Sequence, residues 1–189
     1  PQVTKSDMMA TITPEELSTF IGIGPHPIRM RVMDKADIAQ MVEWFAAAGL
    51  RAKQAGFDGI EIHGAHTYIL AGFLSPYYNQ RDDEYGGPLE NRARLLLDVL
   101  RAVKERVGAD FPVWVRLDSE EMHTPGGITL QDAIATAKLC EAAGAAAISV
   151  SAYATLTKGV DFTDAPIPQK PMAYLSNAAA IKEAVNIPI

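Results

Sequence analysis

Three runs decide the fold: Asp58-Gly-Ile-Glu-Ile-His63, Phe111-Pro-Val-Trp-Val-Arg-Leu-Asp118 and Ala145-Ala-Ala-Ile-Ser-Val-Ser151. Each has the length of a strand, and alternate residues of a strand face opposite ways. Ile60 and Ile62 share one face, as do Val113, Val115 and Leu117, and Ala146, Ile148 and Val150. The opposite face carries Glu61 and His63, then Trp114, Arg116 and Asp118, then Ala147, Ser149 and Ser151. One face is apolar. The other turns polar toward the carboxyl end of every strand. A doubly wound sheet is covered by helices on both faces and needs both apolar. A (βα)8 barrel has helices outside only and keeps its site at the C-terminal mouth. The fold expected is therefore α/β, part of a (βα)8 TIM barrel.

Helical signals lie between the strands. Asp34 precedes a helix over about 35–55 with Ile38, Met41, Val42 and Phe45 on one face, and Gly56 stops it. A polar, glycine-containing loop is predicted over about 71–88. Pro88 and Glu90 then open a helix whose apolar stripe is Leu95, Leu96, Val99, Leu100 and Val103. Thr129 and Asp132 frame a capping box for a helix ending near Gly144. A last helix is expected over about 175–185, and Ile187-Pro-Ile189 reads as the start of a fourth strand. Residues 1–33 are irregular apart from a short helix opened by Thr13-Pro14-Glu15-Glu16. A closed barrel takes about 250 residues. Three strands and part of a fourth make residues 34–189 the central βα units of a barrel, expected to be cut at both ends from a longer protein. Such a sheet has open edges, which leave room for self-association into a homo-oligomer.

Composition narrows the partners. The 189 residues are 48% hydrophobic and 21% charged, with a formal net charge of −6. No basic patch marks a nucleic-acid partner, and no apolar run is long enough for a membrane span. The single cysteine, Cys140, forms no internal disulfide and no cysteine-rich zinc site. A cytoplasmic setting is the expectation.

The densest chemistry is Glu61-Ile-His63-Gly64-Ala65-His66-Thr67-Tyr68, at a strand end. Three readings stay open on these residues alone. The histidines are satisfied polar groups of a loop. Or His63, His66 and Glu61 ligate a metal for a hydrolase or lyase, with His26 and His123 as weak additions. Or the two imidazoles donate to a carbonyl oxygen while Tyr68 supplies a proton. Arg116 lies inward on the next strand and needs a partner, either Glu61 or Asp118 or an electron-rich ligand. The loop Leu74–Gly87 is long for a βα connection. Its tyrosines and adjacent charges read as self-packing around Arg81, and Glu90-Asn91-Arg92 beside it as structural. Cys140, beside Ala137 and Leu139, reads as core.

The series Gly56-Phe57-Asp58-Gly59-Ile60-Glu61-Ile62-His63-Gly64-Ala65-His66, Tyr68, Phe73-Leu74-Ser75-Pro76, Asn79, Arg81, Asp83-Glu84-Tyr85-Gly86-Gly87 and Glu90-Asn91-Arg92 closely resembles the old yellow enzyme family. These are NADH:flavin oxidoreductases and ene-reductases. The resemblance runs from about residue 34 to the end. It implies a (βα)8 barrel with FMN at its mouth and NAD(P)H as reductant. It places a substrate-carbonyl pair on His63 and His66, the proton donor on Tyr68, and a flavin contact on Arg116. The implied reaction reduces the C=C bond of an enone or enoate. The early strands and the phosphate-binding last strands of the family are not among these residues, so FMN binding by this stretch alone is expected to be weak or absent. An iron–sulfur cluster, which some members carry, would be held elsewhere.

Overall fold

The computed structural model describes residues 32–122, 124–154, 172 and 174–189. The predicted helix at Thr13, together with His26 and His123, lies outside the described residues. The chain divides into two units, Pro1–Asp34 and Lys35–Ile189, and the architecture below is that of the second.

The order of elements is α1 (Lys35–Gln54), β1 (Ile60–Gly64), α2 (Ile69–Leu74), α3 (Leu89–Arg92), α4 (Arg94–Val107), β2 (Val113–Met122), α5 (Leu130–Ala142), β3 (Ile148–Ala154) and α6 (Leu175–Ala184). The strands form one sheet in the order β1-β2-β3, and both pairings are parallel. Parallel neighbours need a crossover. Here the crossovers are the predicted helices.

The two faces divide as their side chains require. Ile62, Val113, Val115, Leu117 and Ile148 are buried. The stripe foreseen on α4 is the centre of the core: Leu95, Leu96, Val99, Leu100 and Val103 are each at most 1% exposed. Burying each such side chain contributes about 1.5–3 kcal/mol. Helix α1 packs on α4 through Ile38, Ala46 and Gly49, while Met41, Val42 and Phe45 are only half-buried. A Cβ at Gly49 would stand 3.0 Å from Val103 Cγ1 and 3.1 Å from Ile60 Cδ1, so glycine lets α1 approach without displacing either side chain. The chain leaves α1 through Gly56 at φ 87°, a conformation that suits glycine. The α5 capping box forms as predicted: Thr129 Oγ1 accepts from the Asp132 N–H at 3.2 Å, and Asp132 Oδ2 accepts from the Thr129 N–H at 3.0 Å. Cys140 on α5 is fully buried, and burial pushes its thiol up to about 12.

The helix predicted from Pro88 is split into α3 and α4, β3 runs Ile148–Ala154 where 145–151 was predicted, and three further details differ from the sequence reading. Ile69–Leu74, whose end overlaps the predicted loop, is helical and buries Leu70, Ala71, Phe73 and Leu74. Six residues are too few to show a helical period, and burial supplies the stabilisation that propensity cannot. Strand β2 runs on past Asp118 to Met122, with a register shift between Asp118 and Glu121. Such a bulge re-aims side chains at a strand end. Ile187–Ile189 is assigned to no strand, yet the Ile148 N–H donates to the Pro188 carbonyl at 3.0 Å. The segment thus runs beside β3, where the fourth strand was expected.

Candidate active site

The polar face of the sheet begins with a brace. Glu61 on β1 accepts from Arg116 Nε and Trp114 Nε1 on β2, each at 2.8 Å, and from Ser149 Oγ on β3 at 2.6 Å. One carboxylate therefore ties all three strands. Burial works to raise its pKa, but the hydrogen bonds from Ser149, Arg116 and Trp114 outweigh it and hold the group below its ordinary value. Of the two partners weighed for Arg116, Glu61 is the one it takes. Glu61 is thereby committed to the sheet and not to the two histidines. Among the described residues no three His, Cys, Asp or Glu side chains gather as a metal-ligand set.

One step along β1, His63 stands opposite Arg116 in the ladder and Gly64 opposite Leu117. The strand then ends, and the chain turns sharply. His66 and Thr67 take φ values of 59° and 56°. This left-handed region is uncommon for residues with a Cβ and most costly for a β-branched one. Tyr68 follows as the residue before α2, and its carbonyl accepts from the Gly72 N–H at 2.8 Å.

The turn folds the three predicted side chains together. The rings of His63 and His66 meet edge to face with centroids 5.0 Å apart. The Tyr68 ring is tilted against His63 at 5.3 Å. Tyr68 remains 65% exposed. His66 Nε2 lies 2.6 Å from Ser151 Oγ on β3. Burial lowers the His66 pKa, helped by the nearby His63 and Arg116 and opposed by Glu61.

Sequence reasoning named Asp118 only as a potential partner for Arg116. In the structure it lies beneath the His66 turn, where its Oδ2 accepts from the His66 N–H at 2.6 Å. Its inward position near a strand end was legible. The left-handed turn that brings the His66 amide onto it was not, since neither residue is a glycine.

The long loop after α2 packs on itself, as its composition implied. Arg81 pairs with Asp83 through Nε at 3.0 Å, and that pairing, chiefly its hydrogen bond, brings the Asp83 carboxyl down to about 2. Asn79 donates to the carbonyls of Phe73 and Tyr85 at 2.6 and 2.7 Å. Gly86 packs against the Arg81 carbonyl, and a Cβ there would overlap it. Buried Arg92 donates to the carbonyls of Leu74 and Gly87 and to Asp132 Oδ1, at 2.8, 2.7 and 3.0 Å. It joins both ends of the loop to α5. Ser75 Oγ donates to Glu121 at 2.6 Å, and the same carboxylate oxygen accepts from the Ile128 N–H at 2.7 Å. The long loop is thus fastened to the end of β2.

Comparison with known proteins places this arrangement. The model of the NADH:flavin oxidoreductase / NADH oxidase family matches residues 4–189, starting well ahead of the motifs that carry the sequence resemblance. An NADH oxidase of Thermoanaerobacter brockii is 37% identical over 171 residues, covering 90% of this chain and 25% of that protein. The solved complex of 2-naphthoyl-CoA reductase with 2-naphthoyl-CoA superposes with a TM-score of 0.72 at 32% identity, over 84% of this chain and 24% of the other. The old yellow enzyme homologue of Zymomonas mobilis superposes with a TM-score of 0.65 at 27% identity, over 87% and 44% respectively. The chain thus spans a quarter to under a half of the length of these relatives. Its three parallel strands with their helices correspond to part of a TIM barrel. The chain belongs to the NADH:flavin oxidoreductase family of old yellow enzymes.

Proposed function

We propose that these residues form the substrate-carbonyl end of an FMN-dependent, NAD(P)H-driven reductase acting on α,β-unsaturated carbonyl compounds. The observation that carries the reading is the ring cluster of His63, His66 and Tyr68 at the end of β1, with Arg116 in register beside it. Two imidazoles and one exposed phenol grouped at one strand end suit an oxygen that gains negative charge and a neighbouring carbon that takes a proton.

The residues fit a flavin on one point of geometry. Arg116 gives its Nε to Glu61, its side chain is 38% exposed, and its two terminal amino groups take no hydrogen-bond partner among the described residues. A fixed guanidinium with outward N–H groups suits the electron-rich edge of a planar ring. FMN, when bound, supplies the hydride chemistry. Arg116 offers the ring edge positive charge and donors. His63 and His66 donate hydrogen bonds to the substrate carbonyl oxygen and stabilise the charge that builds there. Tyr68 gives its hydroxyl proton to the α-carbon. The Glu61 brace keeps Arg116 at a fixed height on the sheet.

The test is Tyr68→Phe in the full-length FMN-loaded protein that carries these residues, with the two half-reactions followed separately by flavin absorbance. Reduction by NAD(P)H should keep its rate, while reoxidation by 2-cyclohexenone should slow by 10²-fold or more, the usual weight of a positioned acid. Equal slowing of both half-reactions would remove the proton-donor assignment.

A further inference from the structure

We propose that Asp118 is the positioning residue of His66: its carboxylate captures the His66 amide, holds the left-handed turn, and so places the imidazole beside His63 and Ser151. The proposal rests on the reading of His66 as a carbonyl donor, and its test separates the two.

Four observations carry it. First, Asp118 comes immediately after Leu117, the last residue of β2 paired with β1, so the chain leaving β1 turns directly over it. Second, the turn is one that residues with a Cβ adopt only when something imposes it. Both His66 and Thr67 adopt it, and the hydrogen bond from the His66 amide to Asp118 Oδ2 closes it. Third, the Asp118 side chain is 1% exposed and its other oxygen, Oδ1, takes no hydrogen bond among the described residues. A buried carboxylate half-satisfied in this way is expensive as a purely structural part. Oδ1 stands 3.9 Å from His66 Nε2, so both oxygens face the same residue. Fourth, Asp118 pairs with Ser151 across the ladder, and Ser151 Oγ holds His66 Nε2. Backbone and ring of His66 are therefore held from two adjacent ladder positions on β2 and β3.

The charge state of Asp118 bears on its grip. Burial, the largest cause, pushes the carboxyl up to about 7, with Glu121 adding to the rise and the His66 amide and Arg116 opposing it. The groups that face it are His66 from the turn after β1, Arg116 and Glu121 on its own strand, Tyr174 ahead of α6, and Asp132 of α5, which lines the same small cavity. A carboxylate accepts an N–H more strongly than a carboxylic acid does. The grip on the turn should therefore tighten as pH rises through neutrality.

The experiment is 1H–15N NMR of the full chain, alone and as Asp118→Asn and Asp118→Ala. In the unmodified chain the His66 amide proton should lie far downfield and move further downfield with a midpoint near pH 7. Asp118→Asn keeps an acceptor oxygen, so the amide should stay downfield but lose that pH dependence. Asp118→Ala should bring the amide upfield and shift the ring signals of His66 and His63. A His66 amide without a downfield shift in the unmodified chain, or one unchanged in both position and pH dependence in Asp118→Asn, would overturn the proposal. That reading needs only the unmodified chain and a near-isosteric variant, so loss of folding in Asp118→Ala leaves it decidable. Phenol, a planar probe whose oxygen accepts hydrogen bonds, added to the full-length FMN-loaded protein that carries these residues, then tests the underlying reading. Binding should weaken on the order of tenfold or more in Asp118→Ala and far less in Asp118→Asn. If phenol leaves the His66 ring signals unmoved while the amide still depends on Asp118, the positioning role stands and the carbonyl-donor role falls.

Discussion

Replacing Glu61 by Gln keeps the shape of the brace and removes its charge. Glu61 accepts three hydrogen bonds, from Arg116, Trp114 and Ser149. A glutamine retains one acceptor oxygen and turns an NH2 toward the donors, so at least one donor loses its partner and Arg116 loses its counter-charge. Hydrogen bonds to charged groups contribute about 1.5–3 kcal/mol each. The Glu61 and Arg116 side chains are 24% and 38% exposed, so solvent screens part of the ion pair. The expected loss is about 2–4 kcal/mol, which lowers Tm by about 5–10 °C in a chain of this size. Urea unfolding followed by tryptophan fluorescence reads the change directly, because Trp114 is one of the donors. The pH dependence gives a second check. The folded Glu61 pKa is depressed, so its contribution is complete above the ordinary carboxylate value of 4.5 and fades as pH falls through the folded value. The difference between Glu61→Gln and the unmodified chain should therefore shrink as the pH falls below 4.5. A double-mutant cycle with Arg116→Met should return a coupling of about 1 kcal/mol or more. A loss under about 0.5 kcal/mol, or one that persists unchanged in acid, would refute the brace.

Arg92→Met should cost about 1–3 kcal/mol in urea unfolding, because it removes the donors that Arg92 now gives to the Leu74 and Gly87 carbonyls and to Asp132. A cost below about 1 kcal/mol would mean that the loop holds itself without it. Asp118 should make the fold less stable as pH rises: its folded pKa is raised from 3.8 to about 7, so its stabilisation is complete below the lower value and lost on passing through the upper one. The loss approaches about 4 kcal/mol by pH 8, and Asp118→Asn should flatten that part of the profile. Cys140 should resist a water-soluble disulfide reagent in the native chain and react at once in 8 M urea, since its thiol is buried and held protonated. Labelling of the native chain at the rate of a free thiol would contradict that burial.

The strands were readable because period 2 and the contrast between Ile60/Ile62 and Glu61/His63 leave little choice of face. The α4 stripe and the α5 capping box were equally local signals, and each appears in place. Helix α2 was not readable: six apolar residues hold no period, and only their burial under the loop makes them helical. The bulge after Asp118 left no mark either, because no glycine or proline announces it, and the strand was accordingly ended too early. At the site, the side chains were legible as types at a strand end. Their mutual geometry was not, because it depends on positive φ at His66 and Thr67, residues that rarely adopt it. The choice of Glu61 as the partner of Arg116 likewise needed the third donor, Ser149, which arrives from a strand 88 residues away.

The most direct test of the site is a crystal structure of the full-length FMN-loaded protein that carries these residues, soaked with phenol. The account predicts the phenol oxygen within hydrogen-bond distance of both His63 and His66, the Tyr68 hydroxyl over the ring, and Arg116 against the edge of the flavin. A phenol oxygen touching neither imidazole, or a flavin seated away from Arg116, would contradict it.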